Sequence, residues 1–206
     1  MKFNKRKAIA QDILKNKFLL NITMPNYRRA KINGGTYFFT EVTYNRDSWL
    51  CREIGRKAMR EAIEKVKAKY PFSIDAFVLL PEHFHCLLTL PPDDHNFSLR
   101  MRLIKTHVTK TYRQQLAINQ KLSLSRQKRG ESNLWQRRFW EHFIRDEEDF
   151  AYHCDYIHYN PVKHGLCTNP QDWEFSTIHR FIAEGIYPPD WGKNGKIDIP
   201  EDIGYE

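Results

Sequence analysis

Two stretches of the chain carry side chains able to do chemistry. The first is Leu80-Pro81-Glu82-His83-Phe84-His85-Cys86. It lies in a run, residues 79–90, that reads as a buried strand. In a strand, residues i and i+2 face the same side. His83 and His85 therefore present two imidazoles side by side, with Phe84 and Cys86 on the opposite, core face. That is a pair of metal ligands on a rigid support. The pair alone does not make a site; a third ligand, a nucleophile and a substrate must come from elsewhere. The second stretch offers a third ligand and a nucleophile: Tyr152-His153-Cys154-Asp155-Tyr156-Ile157-His158-Tyr159-Asn160-Pro161-Val162-Lys163-His164-Gly165. Tyr156 and Asn160 are four apart and share a helix face. An Asn carbonyl suits a hard divalent ion beside two imidazoles, with waters completing the shell. A tyrosine, with a pKa of about 10, is a poor nucleophile by itself. It becomes effective when a metal polarises a phosphate oxygen. Tyr152, one turn earlier, and Tyr159 stay open as core aromatics or as the nucleophile. His142, His158 and His164 read as structural or DNA-contacting.

The substrate is suggested by charge. Lys and Arg outnumber Asp and Glu by 33 to 25, a formal net charge of +8, which suits a polyanion, nucleic acid before a membrane surface. Two stretches interleave cations with aromatics, the combination that single-stranded or hairpin DNA needs for backbone charge and base stacking. They are Pro25-Asn26-Tyr27-Arg28-Arg29 and Leu134-Trp135-Gln136-Arg137-Arg138-Phe139-Trp140-Glu141-His142-Phe143-Ile144-Arg145. Cys51, Cys86, Cys154 and Cys167 form no C-x-x-C pair. With no apolar signal stretch at the N-terminus, they read as reduced thiols of a cytoplasmic, nucleoid-associated protein. No run of about 18 apolar residues is present, which argues against a membrane span.

The elements that must hold these residues follow from pattern and punctuation. Residues 1–23 form a basic extension: a short helix, a disordered arm, or a translated upstream segment. Residues 24–185 form the working domain, and 186–206 an irregular tail. After Gly34-Gly35, the aromatic and β-branched run 36–43 is a strand. Asp47 or Ser48 caps a helix running to about Tyr70, stopped by Pro71. Residues 73–80 form a second strand, and the histidine strand follows at once as its hairpin partner. A second helix spans about 97–116. Residues 117–133 are a mobile basic loop, a short strand falls within 134–145, and Asp146 or Asp149 begins a third helix that Asn160-Pro161 ends near Tyr159. One short helix follows within 173–182. Strand, helix, strand, strand, helix, strand, helix is the ferredoxin-like α+β order, an antiparallel sheet with helices on one face.

Taken in order, five motifs resemble those of the REP-associated tyrosine transposases, a branch of the single-tyrosine transposases within the HUH endonuclease class. They are Asn26-Tyr27-Arg28-Arg29, Gly34-Gly35-Thr36-Tyr37-Phe38-Phe39-Thr40, Leu80-Pro81-Glu82-His83-Phe84-His85-Cys86, Trp135-Gln136-Arg137-Arg138-Phe139-Trp140-Glu141-His142, and Asp155-Tyr156-Ile157-His158-Tyr159-Asn160-Pro161-Val162-Lys163-His164-Gly165-Leu166. The resemblance extends from 26 to about 191 and implies an HUH nuclease fold. It implies that His83, His85 and Asn160 bind Mg²⁺ or Mn²⁺, and that Tyr156 attacks the scissile phosphate of single-stranded DNA. A 5′-phosphotyrosine and a free 3′-OH result, and rejoining reverses the step. The implied partners are palindromic REP-like hairpins with a short recognition tetranucleotide, bound through Asn26, Tyr27, Arg28, Arg29, Arg137, Arg138 and Lys163 by a monomer rather than a dimer. The alternative is a domesticated, non-catalytic regulator that binds the same hairpins. Related insertion-sequence enzymes carry Gln at the third ligand position, where this chain has Asn160, as the REP-associated branch does. Residues 1–23 and the basic loop 117–133 depart from the family pattern.

Overall fold

The computed structural model describes residues 31–116, 124–129, 132–193 and 197–204. The extension 1–23, the candidate DNA-contacting residues Asn26, Tyr27, Arg28 and Arg29, and much of the 117–133 loop lie outside the described residues.

The sheet is built around β1, Thr36–Val42, every residue of which is buried. Side-chain alternation sends Tyr37 and Phe39 into one core and Phe38 into another. β2, Ser73–Leu79, and β3, His83–Thr89, follow as an antiparallel hairpin. β4, Trp140–Phe143, pairs with the free side of β1. The order is β2-β3-β1-β4, all antiparallel. With α1, Glu53–Lys69, after β1 and α2, Phe97–Leu116, after β3, this is the ferredoxin-like α+β arrangement the sequence predicts.

The two connecting helices share one face. Ala58, Met59, Ala62 and Val66 of α1 meet Phe97, Met101, Ile104, Val108 and Tyr112 of α2 over Tyr37, Phe39, Phe84, Cys86 and Leu88 of the sheet. Their three- and four-residue spacing makes one apolar stripe per helix, and each large side chain so buried contributes about 1.5–3 kcal/mol. The opposite face, left bare in the expectation of helices on one face only, is covered by α4, Glu147–Lys163, through Phe150, Cys154 and Ile157. Ile178 and Phe181 of α5, Ile178–Ala183, join that second core, as do Ile186, Tyr187, Trp191 and Ile203 from the C-terminal segment.

Three local expectations need correction. α1 begins after Arg52, not at Asp47 or Ser48. The intervening chain plugs the core with Trp49 and Leu50, and the Leu50 N–H donates to the Pro81 carbonyl at the β2–β3 turn. Within the expected loop 117–133, Leu124–Lys128 forms a short helix, α3. The Arg126 guanidinium lies 4.1 Å from the centre of the Tyr44 ring and donates to the Ser132 carbonyl. Finally, Asn160-Pro161 does not end α4. A proline near the end of a helix removes a single backbone bond, and the helix continues to Lys163. It is closed instead by Gly165 in the left-handed region, φ +67°. The short helix expected within 173–182 corresponds to α5, Ile178–Ala183, and a separate helical turn precedes it at Pro170–Asp172.

Candidate active site

β3 carries the two histidines between the central strand and α4. Phe84 and Cys86 point into the α1/α2 core, so alternation turns His83 and His85 towards α4. Both are fully buried, with ring centres 4.8 Å apart and planes at 77°. Each has its Nδ1 held by a neighbour. His83 Nδ1 donates to Glu82 Oε1 at 3.1 Å, and His85 Nδ1 shares a 2.9 Å hydrogen bond with Oγ1 of Thr40, its cross-strand partner. Such anchoring orients a ring so that Nε2 is the atom that carries ligation. The Phe38 ring stacks on His85 at 5.4 Å. The donor set fits a divalent metal: two imidazoles with fixed rings, and an amide oxygen on the helix that covers them.

α4 brings up the candidate nucleophile. Asp146 caps it, its carboxylate accepting from Asp149 N at 2.8 Å. Tyr156 falls over the histidines, its ring 5.2 Å from His85 and 5.8 Å from Phe38. Asn160, one turn on, is fully buried. Lys163 Nζ donates to Tyr156 Oη at 3.2 Å. Tyr152 is in a different setting: its hydroxyl donates to Glu148 Oε1 at 3.3 Å, and that carboxylate's charge pushes the phenol pKa up. Tyr156 is only 3% exposed. Gly204, at φ +75°, lies flat against its ring, where any Cβ would strike the aromatic carbons.

The structure adds a residue that spacing did not single out as part of this cluster. His164 stands with its ring 5.0 Å from His83, a placement that depends on α4 running past Pro161. A second group able to hold a metal ion is His142, Asp149 and His153, whose ligand atoms lie within 4.8 Å of one another. Asp149 is already ringed by donors: His142 Nε2 at 2.8 Å, Arg145 N at 2.9 Å and Arg145 Nε at 3.1 Å. His153 Nδ1 must donate to the Asp149 carbonyl at 2.8 Å, and its ring stacks almost parallel on His142. Two parallel imidazoles cannot both aim a lone pair at one ion, so a ring would have to rotate first.

Arg137 and Arg138 are exposed in the segment leading into β4. Arg137 Nη2 donates to Ser125 Oγ of α3 at 2.9 Å. With Arg102, Lys105, Lys110 and Arg113 of α2 and Arg126 of α3, it lines a groove of about 950 Å³ on the helical side of the molecule. Lys105 is tied to the buried Glu41 at 2.8 Å. Among the described residues, no helix is long and apolar enough to cross a membrane.

Comparison with known proteins shows the family. The model of the IS200-like transposase family matches residues 23–160, a span containing both histidines, Tyr156 and Asn160. The chain is 46% identical over 168 residues to the REP-associated tyrosine transposase of Escherichia coli, covering 82% of this chain and 91% of that one. It is 44% identical over 181 residues to a protein of Haemophilus influenzae provisionally named a REP-associated tyrosine transposase, covering 87% of this chain and all of the relative. A solved structure of a REP-associated tyrosine transposase bound to a REP hairpin superposes with a TM-score of 0.67 at 44% identity, covering 88% of this chain and 100% of that one. The chain is therefore a member of the IS200-like transposase family, enzymes that cleave and transfer DNA, and within it of the REP-associated tyrosine transposases.

Proposed function

We propose that the protein cleaves and rejoins single-stranded DNA at palindromic, REP-like hairpins that carry a short recognition tetranucleotide. The observation that carries this reading is the Tyr156 ring 5.2 Å from His85 on the covered face of the sheet. Tyr156 is the nucleophile: its Oη bonds to the scissile phosphorus as the 3′-oxygen leaves, giving a 5′-phosphotyrosine and a free 3′-OH. His83, His85 and Asn160 would hold Mg²⁺ or Mn²⁺. Bound there, the ion would polarise a phosphate oxygen and offset charge building on the phosphorus. Thr40 and Glu82 keep the imidazoles in register for that role. One chain carries both the histidine strand and the tyrosine helix, which favours a monomer as the working unit. The exposed Arg137 and Arg138, with Lys163 and the Asn26, Tyr27, Arg28, Arg29 motif, contact the DNA. The relative solved with a REP hairpin supports that class of partner.

The test is a gel assay for covalent adducts with a synthetic hairpin and Mn²⁺. Tyr156→Phe is expected to abolish the adduct while hairpin affinity stays within about twofold, because one hydroxyl is lost and the ring is kept. An adduct surviving in Tyr156→Phe would move the nucleophile elsewhere, with Tyr152 next. Hairpin binding that withstands EDTA, with no cleavage by the wild type under any divalent ion, would favour the non-catalytic regulator instead.

A further inference from the structure

Spacing alone leaves Lys163 in a loop beyond the active-site helix. In the structure α4 runs through Pro161, so Lys163 lies seven residues, two turns, after Tyr156. Tyr156, Asn160 and Lys163 thus stand at i, i+4 and i+7, one stripe of a helix. The lysine uses that position. Its Nζ donates to Tyr156 Oη at 3.2 Å and sits 4.8 Å from the centre of the ring. Among the described residues, the imidazole of His85, the Phe38 ring and the backbone at Gly204 pack on Tyr156 from other elements. Tyr152, one turn earlier, meets the opposite charge at Glu148. The helix therefore sets a cation on one phenolic oxygen and an anion on the other.

We propose that Lys163 is a catalytic residue, whose ammonium aligns the Tyr156 hydroxyl and stabilises the negative charge left on Oη as its proton departs for the attack on the scissile phosphate. This rests on Tyr156 being the nucleophile. In the step, the phenolic proton leaves to water, the Oη–P bond forms, the P–O3′ bond breaks, and the freed 3′-oxygen takes a proton from water. Lys163 keeps its own protons throughout. In rejoining, the 3′-OH attacks, and Oη departs with the charge that the same ammonium meets. Cleavage and rejoining share one transition state, so both depend on the lysine. Removing one preorganised donor from a developing oxyanion costs about 10²–10³-fold in rate. Lys163 is exposed in the free protein, which points to the lower figure, about a hundredfold, realised once bound DNA excludes water.

The experiment uses the full-length protein, a synthetic hairpin taken from palindromes flanking its gene, and Mn²⁺. Single-turnover cleavage, rejoining, and hairpin Kd across a salt series are measured for Lys163→Met, Lys163→Arg and Tyr156→Phe. Lys163→Met is expected to slow both directions about a hundredfold at saturating DNA, beyond any change in Kd that loss of its contact with the DNA brings. Lys163→Arg, which keeps the charge, is expected to retain most of the rate. The Lys163→Met defect should persist on a hairpin whose bridging 3′-oxygen is sulfur, a leaving group that needs no proton. Three results would overturn the proposal. One is a defect that saturating DNA removes, with the salt slope falling by about 0.7–0.9, the mark of a lost phosphate contact. Another is rescue by the 3′-sulfur, which would put the lysine on the leaving group. The third is an Arg variant as slow as Met. If Tyr156→Phe forms the adduct, the nucleophile assignment itself fails, whatever the lysine variants do.

Discussion

Glu82 decides which nitrogen of His83 can meet a metal. Its carboxylate only accepts hydrogen bonds, so the 3.1 Å contact fixes the proton on His83 Nδ1 and makes Nε2 the atom that would ligate a metal. Arg46, whose Nη1 lies 3.8 Å from the same oxygen, helps hold the carboxylate in place. Partners of this kind typically contribute 10–100-fold to metal affinity. Glu82→Gln is therefore expected to raise the Mn²⁺ concentration for half-maximal adduct formation by about 10–100-fold. Hairpin affinity measured in EDTA should not change, because Glu82 adds no positive charge to the DNA path. A Mn²⁺ titration superimposable on the wild type would mean that His83 is not a ligand. The same reasoning separates the tyrosines: Tyr156 has an ammonium on its oxygen and Tyr152 a carboxylate.

At the scale of elements, α4 does most of the positioning, and its first turn is anchored by Asp149. Burial alone would push that carboxyl up; hydrogen bonds from His142, His153 and the Arg145 N–H outweigh it and hold Asp149 well below the usual carboxylate range. A depressed carboxylate contributes stability above its unfolded pKa of about 3.9, and that contribution is lost as pH falls towards the folded value. Asp149→Asn should therefore destabilise the protein by about 3 kcal/mol at pH 7, the scale of breaking a buried charged pair. In urea unfolding the gap from the wild type should narrow below about pH 4; an equal gap at pH 7 and pH 3 would show that packing, not charge, anchors the turn. The sequence made β3 and α2 legible because each follows a single period: two for His83, His85 and Leu87, and three to four for Phe97, Met101, Ile104 and Val108. It hid the start of α1, where the cap-like Asp47 and Ser48 are overruled by burial of Trp49 and Leu50. It also hid the end of α4. Pro161 reads as a stop, yet so near the terminus it costs one bond, and Gly165 supplies the closure. His164 and Lys163 were obscured for that reason alone, since both depend on those last residues being helical.

Across the whole molecule, the sheet separates two kinds of chemistry. One face holds His83, His85 and Tyr156; the helical side holds the groove lined by Arg102, Lys105, Lys110, Arg113, Arg126 and Arg137. The sequence showed these cations but not their convergence, which depends on α3 folding back so that Ser125 meets Arg137 and Arg126 meets Tyr44. The cations are not equivalent. Lys105 is bound to Glu41, and Arg126 is buried against Tyr44 and Ser132, so these two build the wall. Arg102 and Arg137 are exposed, and no carboxylate lines the groove among the described residues. A duplex stem lying there would gain affinity by counterion release, with a slope of log K against log salt of about −0.9 per phosphate neutralised. The double variant Arg102→Ala/Arg137→Ala is expected to weaken hairpin binding and to flatten that slope by about 1.8. Single-turnover cleavage at saturating DNA should be unchanged, because neither arginine touches Tyr156 or the histidines. Binding isotherms at four or five salt concentrations, run beside the cleavage assay, separate the two effects. A slope equal to that of the wild type would take the groove off the DNA path, and a loss of rate that saturating DNA does not restore would couple the two faces through the sheet.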